Sequence, residues 1–129
     1  MGLCIRREVQ LAIQQATNYY VPSTVTPNGN NSLQSSFQFN GAMELTSANM
    51  PNGAQSSATY DGAGQIQTST SVYGATTTYT YNYNTSASTV TATTVANSGT
   101  RWVRSTMDGL GRTIKVEKGT GPLNNQVTL

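Results

Sequence analysis

Three near-copies of one phrase punctuate the middle of the chain. Phe39-Asn40-Gly41, Tyr60-Asp61-Gly62 and Tyr81-Asn82-Tyr83 each set an aromatic ring before a turn-forming Asn or Asp, at intervals of 21 residues. The punctuation between them keeps the same step: Pro51-Asn52-Gly53 and Val72-Tyr73-Gly74 are 21 apart, as are Ser56-Ser57 and Thr77-Thr78, and Leu45 and Ile66. A fixed period of this size marks a repeat architecture in which each unit is one supersecondary element stacked on the next. Runs of Thr, Tyr, Ile and Val between turns rich in Gly, Asn and Pro make the unit a β-hairpin. The fold class expected is all-β, a tandem stack of hairpins.

Composition agrees. The chain has 129 residues, one domain or a piece of a larger one, and is 36% hydrophobic but only 9% charged. From Leu45 to Thr100 the only charged residue is Asp61. So much Thr, Ser, Asn, Gly and Tyr with so little charge is not the profile of disorder; it suits strands and turns and is common in secreted β-proteins. A single cysteine, Cys4, excludes an internal disulfide framework. Leu3-Cys4 has no hydrophobic leader, and Arg6 stands where a myristoylation pattern needs Ser or Thr. No stretch approaches the ~20 apolar residues of a membrane-spanning helix. With no signal peptide in view, export is expected to be encoded outside this chain, or the chain is a fragment. The basic residues come late, Arg101, Arg104, Arg112, Lys115 and Lys118 against Asp108 and Glu117. That is too narrow a basic face for a nucleic-acid partner.

Taken in order, Val9, Leu11 and Ile13 alternate with Gln10 and Gln14, so Arg6 to Gln15 reads as a strand, with a helix as the rival. Pro27-Asn28-Gly29 turns, Leu33 to Phe39 is a strand, and Asn40-Gly41 is the strongest hairpin dipeptide. Met43 to Ala48, Ser56 to Tyr60, Ile66 to Val72 and Thr76 to Tyr83 continue the alternation. Thr76 to Thr94 carries nine Thr and no charge, which makes it the chief edge-pairing segment. Tyr79, Tyr81 and Tyr83 fall on one face of it, and Thr78, Thr80 and Asn82 on the other. Asn97-Ser98-Gly99 turns the chain into Arg101 to Met107. After Gly111 a strand sets Ile114 and Val116 on a dry side, and Thr113, Lys115 and Glu117 on a wet one.

Tyr60-Asp61-Gly62-Ala63-Gly64 and Asp108-Gly109-Leu110-Gly111-Arg112 resemble the YD repeat of the bacterial Rhs proteins and their relatives, which reads roughly Tyr-Asp-x-x-Gly-Arg, a strand, and a later Gly. Asp61 to Gly74, Asn40 to Gly53 and Asp108 to Gly121 each span 13 residues. The resemblance covers residues 37–129, after an N-terminal strand region, 1–36, that also reads as a degenerate repeat. Thr106 to Gly119 is its most specific part. Gln65 replaces the motif's Arg, Asn replaces Asp at positions 40 and 82, Met107 replaces the Tyr, and Glu44 departs as well. The resemblance implies a stacked β-hairpin array and an Arg112 that packs along the stack.

Function follows by class. The chain has no His, and Glu44, Asp61, Asp108 and Glu117 form no closely spaced pair, so no catalytic residue, cofactor or metal site is expected. Asp61 and Asp108 precede glycines, where a carboxylate caps the next amides of a turn. Calcium would need more oxygen ligands than one Asp per turn. Gly62, Gly64, Gly109 and Gly111 read as turn residues, because no Lys or helix start follows them. Tyr60, Tyr79, Tyr81, Tyr83 and Trp102 are the candidates for binding anything. The alternatives are rings packed against cross-strand neighbours and rings exposed to stack on sugars. Asn30-Asn31-Ser32 and Asn84-Thr85-Ser86 match the glycan acceptor pattern. The function expected is structural: part of an exported or cell-surface shell, stalk or fibre. Its partners would be other copies or the remainder of a longer array, joined head-to-tail. A carbohydrate-binding or adhesive module is the alternative.

Overall fold

A computed structural model describes residues 9–13, 21–123 and 127–128; Cys4 and the ends of the first expected strand lie outside them. The chain is all-β and antiparallel, and it divides into two compact units, residues 1–58 and 59–129. The division falls inside a strand, Gln55–Tyr60 (β5), and the sequence boundary at 36/37 falls inside another, Ser35–Phe39 (β3).

In the first unit Val9–Ile13 (β1) pairs with Pro22–Pro27 (β2), with Val9 opposite Pro27 and a bulge at Ala12/Ile13. Both prolines stand at the ends of β2, where a missing N–H costs least. A turn with Asn28 and Gly29 at φ 52° and 64° leads to one 3-10 turn, Asn31–Leu33, and then to β3. Leu33 therefore lies in that turn rather than in the strand. β2 meets β3 at two positions, Thr24 to Ser36 and Val25 to Ser35. Leu45–Asn49 (β4) returns along β3, and β5 returns along β4. Ala48 is 4% exposed because Phe37 and Ser56 stand opposite it on either side. Thr26 is buried too, and its hydroxyl accepts the Gln34 side-chain amide at 3.3 Å.

In the second unit the strands Ile66–Thr70 (β6), Thr76–Asn82 (β7), Ser88–Ala96 (β8), Gly99–Met107 (β9) and Thr113–Thr120 (β10) pair in chain order; Val127–Thr128 (β11) adds to β10. High β-propensity residues fill them, and period-two alternation decides the faces. Thr93 on β8 faces both Thr78 on β7 and Trp102 on β9, while Tyr79 faces Ala92 and Ala92 faces Val103. One face is therefore Thr-rich with Trp102, and the other carries the tyrosines with Ala and Val.

Two expectations are corrected here. A bulge between Thr113 and Lys115 puts Ile114 out of step and 63% exposed, while Glu117 is 3% exposed. Ile114, expected on the dry side, is thus exposed, and Glu117, expected on the wet side, is buried, because its ion pairs offset the cost of burying a carboxylate. Thr113 and Lys115 are exposed and Val116 half-buried, as expected. Asn82 is the last residue of β7, paired with Thr89, so it is not a turn residue. The turn oxygen in that stretch belongs to Asn84, which accepts from the Ser86 amide at 3.3 Å.

Candidate functional site

Five hairpin turns share one backbone scheme. The first residue donates its amide to the carbonyl four residues on and accepts from the amide three residues on, at Asn40, Met50, Asp61, Ser71 and Asp108. The donor to that first carbonyl is in each case a left-handed residue: Met43 at φ 63°, then Gly53, Gly64, Gly74 and Gly111 at 77–79°. A type I turn closed by a left-handed residue forming a bulge is a common three-residue hairpin connection. It places the conformational demand on Gly64 and Gly111. Gly62 and Gly109 carry no positive φ, and a Cβ on either would meet open space.

Three of these turns are capped by the side chain of their first residue. Asp61 Oδ1 accepts the amides of Ala63 and Gln65, each at 2.9 Å. Asp108 Oδ1 accepts Leu110 at 2.9 Å and Arg112 at 3.0 Å, and Asn40 Oδ1 accepts Ala42 and Glu44 at 3.0 Å each. The Arg112 amide first, and then its guanidinium, hold the Asp108 carboxyl below its ordinary range. Arg112 thus turns back on Asp108, with Nε 2.8 Å from Oδ2, and is itself largely exposed. At the first turn the chemistry is reversed, since Asn40 Nδ2 donates to the Glu44 carboxylate. Departures from the motif at positions 40 and 44 therefore compensate each other.

The tyrosines gather at one end of β7. Tyr79 and Tyr81 project from the same face of the strand, and Tyr83 follows with its ring 6.3 Å from that of Tyr81 and only 8° from parallel. The Tyr81 hydroxyl donates to the Ile66 carbonyl at 2.9 Å, and Gln65 Nε2 donates to the Tyr83 hydroxyl. Burial, then the neighbours Tyr83, Asp61 and Tyr79, raise the Tyr81 pKa. Tyr81 is half-buried and Tyr83 is 64% exposed. Tyr60 is half-buried at the end of β5.

No protein-family model and no curated protein sequence matches this chain.

Trp102 leaves the candidate binding set. It is 1% exposed and lies on the face opposite the tyrosines, so no sugar reaches its ring. Gly119 stands opposite it on β10 and Arg104 covers it, with the guanidinium carbon 5.9 Å from the ring centroid. Among the described residues its indole nitrogen has no hydrogen-bond partner. Next along the same face, Glu117 binds Arg104 through Oε2 and Lys115 through Oε1, each at 2.8 Å. Those two hydrogen bonds, Arg104's first, lower its pKa to about 2. With both oxygens engaged it is suited to holding strands together rather than to moving protons. The alternation Lys115-x-Glu117 carried a signal for this cluster, but Arg104 joins it only through the β9–β10 register. Tyr73, at a turn tip and 91% exposed, is the aromatic that the candidate set missed. Among the described residues no group of three His, Cys, Asp or Glu is placed to hold a metal, and no helix is long and apolar enough to cross a membrane.

Proposed function

We propose that this chain is a structural repeat protein of the YD-repeat kind, with a 21-residue unit, residues 37–129 forming the array. It works without catalysis as part of an exported or cell-surface shell, stalk or fibre, pairing head-to-tail with other copies or with the rest of a longer array; nucleic acid and membrane insertion have no part in it. The observation that carries this reading is the shared scheme of the turns. Turns capped by their own first residue, Asn40 and Asp61, alternate with turns opening at Met50 and Ser71, and the first form returns at Asp108. Burial supports it too: among the described residues only Thr26 and Ala48 in one unit, and Trp102 and Glu117 in the other, are buried. Domains gain stability by burying a sheet face against another layer, and stacked repeats gain it from their neighbours. Light scattering with electron microscopy of the full chain tests this. Concentration-dependent oligomers or fibres are expected, and a well-folded monomer at high concentration overturns it.

The parallel Tyr81 and Tyr83 rings favour a second reading, a glycan-binding or adhesive surface made by Tyr60, Tyr79, Tyr81 and Tyr83. Aromatic rings bound at their hydroxyls present rigid apolar faces to sugar rings. Tyr83→Ala is expected to abolish retention of the chain on neutral polysaccharide; retention unchanged in that variant removes the reading.

A further inference from the structure

Three Asn-Gly dipeptides stand in the first unit, Asn28-Gly29, Asn40-Gly41 and Asn52-Gly53, and the fold restrains them unequally. Asn-Gly is chemically labile because glycine has no side chain to hinder attack of its own amide nitrogen on the preceding Asn carbonyl carbon, and its backbone moves freely. At Asn40 that side chain is fixed: Oδ1 accepts the Ala42 and Glu44 amides, and Nδ2 donates to Glu44. At Asn52 the attacking group is tied, since the Gly53 amide donates to the Met50 carbonyl at 2.9 Å while Asn52 Oδ1 accepts the Ala54 amide at 3.0 Å. At Asn28 neither holds. Among the described residues its side chain has no hydrogen-bond partner, the Gly29 amide has none either, and both residues are exposed.

We propose that Asn28 is a site of spontaneous conversion from amide to acid, a modification that the turns at Asn40 and Asn52 resist. Hydroxide removes the Gly29 amide proton, and the nitrogen forms a bond to the Asn28 side-chain carbonyl carbon. The bond to Nδ2 breaks, ammonia leaves with that proton, and a cyclic imide remains. Water then opens either imide carbonyl, giving aspartate or isoaspartate at position 28, with no net oxidation or reduction. The added carboxylate takes the formal charge from +2 to +1. In the isoaspartyl form the backbone runs through the side-chain carbon and is one atom longer. The bond from the Asn30 amide to the Pro27 carbonyl, 3.0 Å, spans this link, and β2 is held to β3 at only two positions beyond it.

The test is to incubate the full chain at mildly alkaline pH, native and in urea, and to follow all three sites by chymotryptic mapping, fragment mass spectrometry and isoaspartate-specific methylation. In the native chain position 28 is expected to convert at least about tenfold faster than positions 40 and 52, the factor supplied by 1.4 kcal/mol of local opening. In urea the three rates are expected to converge. Equal native rates, a lead at position 40 or 52, or silence at position 28 in the native chain overturns the proposal. A lead at position 28 that persists in urea also overturns it, because neighbouring sequence rather than fold then sets the rate.

Discussion

Arg104 on β9 lies directly opposite Glu117 on β10, and its Nε is 2.8 Å from Oε2 of a carboxylate that is 4% exposed. Among the described residues Glu117 and the adjacent Trp102 are the buried side chains of the second unit, and the half-buried Arg104 contacts both. A buried carboxylate without its cation keeps its desolvation cost and loses its compensation. Arg104→Ala is therefore expected to lower the Tm more than Lys115→Ala, because the Lys115 side chain is 48% exposed and that of Arg104 27%. Thermal melts followed by the emission of Trp102, the single tryptophan, measure the order; equal losses refute it.

The same carboxylate sets an acid limit. Its folded pKa is depressed from 4.5 to about 2, so the folded state binds this proton less readily than the unfolded chain does. Its contribution is fully present above the ordinary carboxylate range and is lost as pH falls from about 4.5 toward about 2. In Glu117→Gln the slope of stability against pH in that window is expected to shrink. An unchanged slope assigns the acid sensitivity elsewhere.

At the turns the glycines separate by position. Gly64→Ala forces a side chain into the left-handed region at φ 78° and is expected to cost about 1–2 kcal/mol. Gly62→Ala meets open space at an ordinary φ and is expected to be neutral or stabilising by about 0.4–1 kcal/mol. Met43 already occupies the strained position at φ 63°, so Met43→Gly relieves it by up to about 1–2 kcal/mol. Denaturant midpoints decide; equal effects at positions 62 and 64 contradict the turn geometry.

Capping is a matter of an oxygen, not a charge. Asp61→Asn keeps the acceptor for the Ala63 and Gln65 amides and is expected to cost under about 1 kcal/mol, whereas Asp61→Ala costs about 0.5–2 kcal/mol. Equal losses in the two variants defeat the capping role.

The Asn40–Glu44 pair supports a double-mutant test. Asn40→Asp sets two carboxylates against each other and is expected to destabilise. Adding Glu44→Arg recreates the Asp108–Arg112 arrangement and is expected to recover about 0.2–1 kcal/mol through a positive coupling. Additive effects mean that the two residues do not sense each other.

Local chemistry made much of this molecule legible in its sequence. Alternation in Thr76 to Asn82 fixed the Tyr and Thr faces of β7, because successive side chains on any strand point opposite ways. Asp61 and Asp108 marked capped turns because a carboxylate reaches its own amides within five residues. Identical dipeptides were less informative: Asn28-Gly29 puts both residues at positive φ, Asn40-Gly41 neither, and Asn52-Gly53 only the glycine. The turn around each pair, not the pair itself, sets its backbone. What the sequence could not contain was register. Trp102 stood open between a packed and an exposed ring, and Glu117 read as a solvated charge, until pairing put Gly119 opposite the first and Arg104 opposite the second. Burial in a sheet depends on which residue stands across from a side chain, and a one-residue slip or bulge, such as that at Thr113/Lys115, reassigns it without changing any local preference.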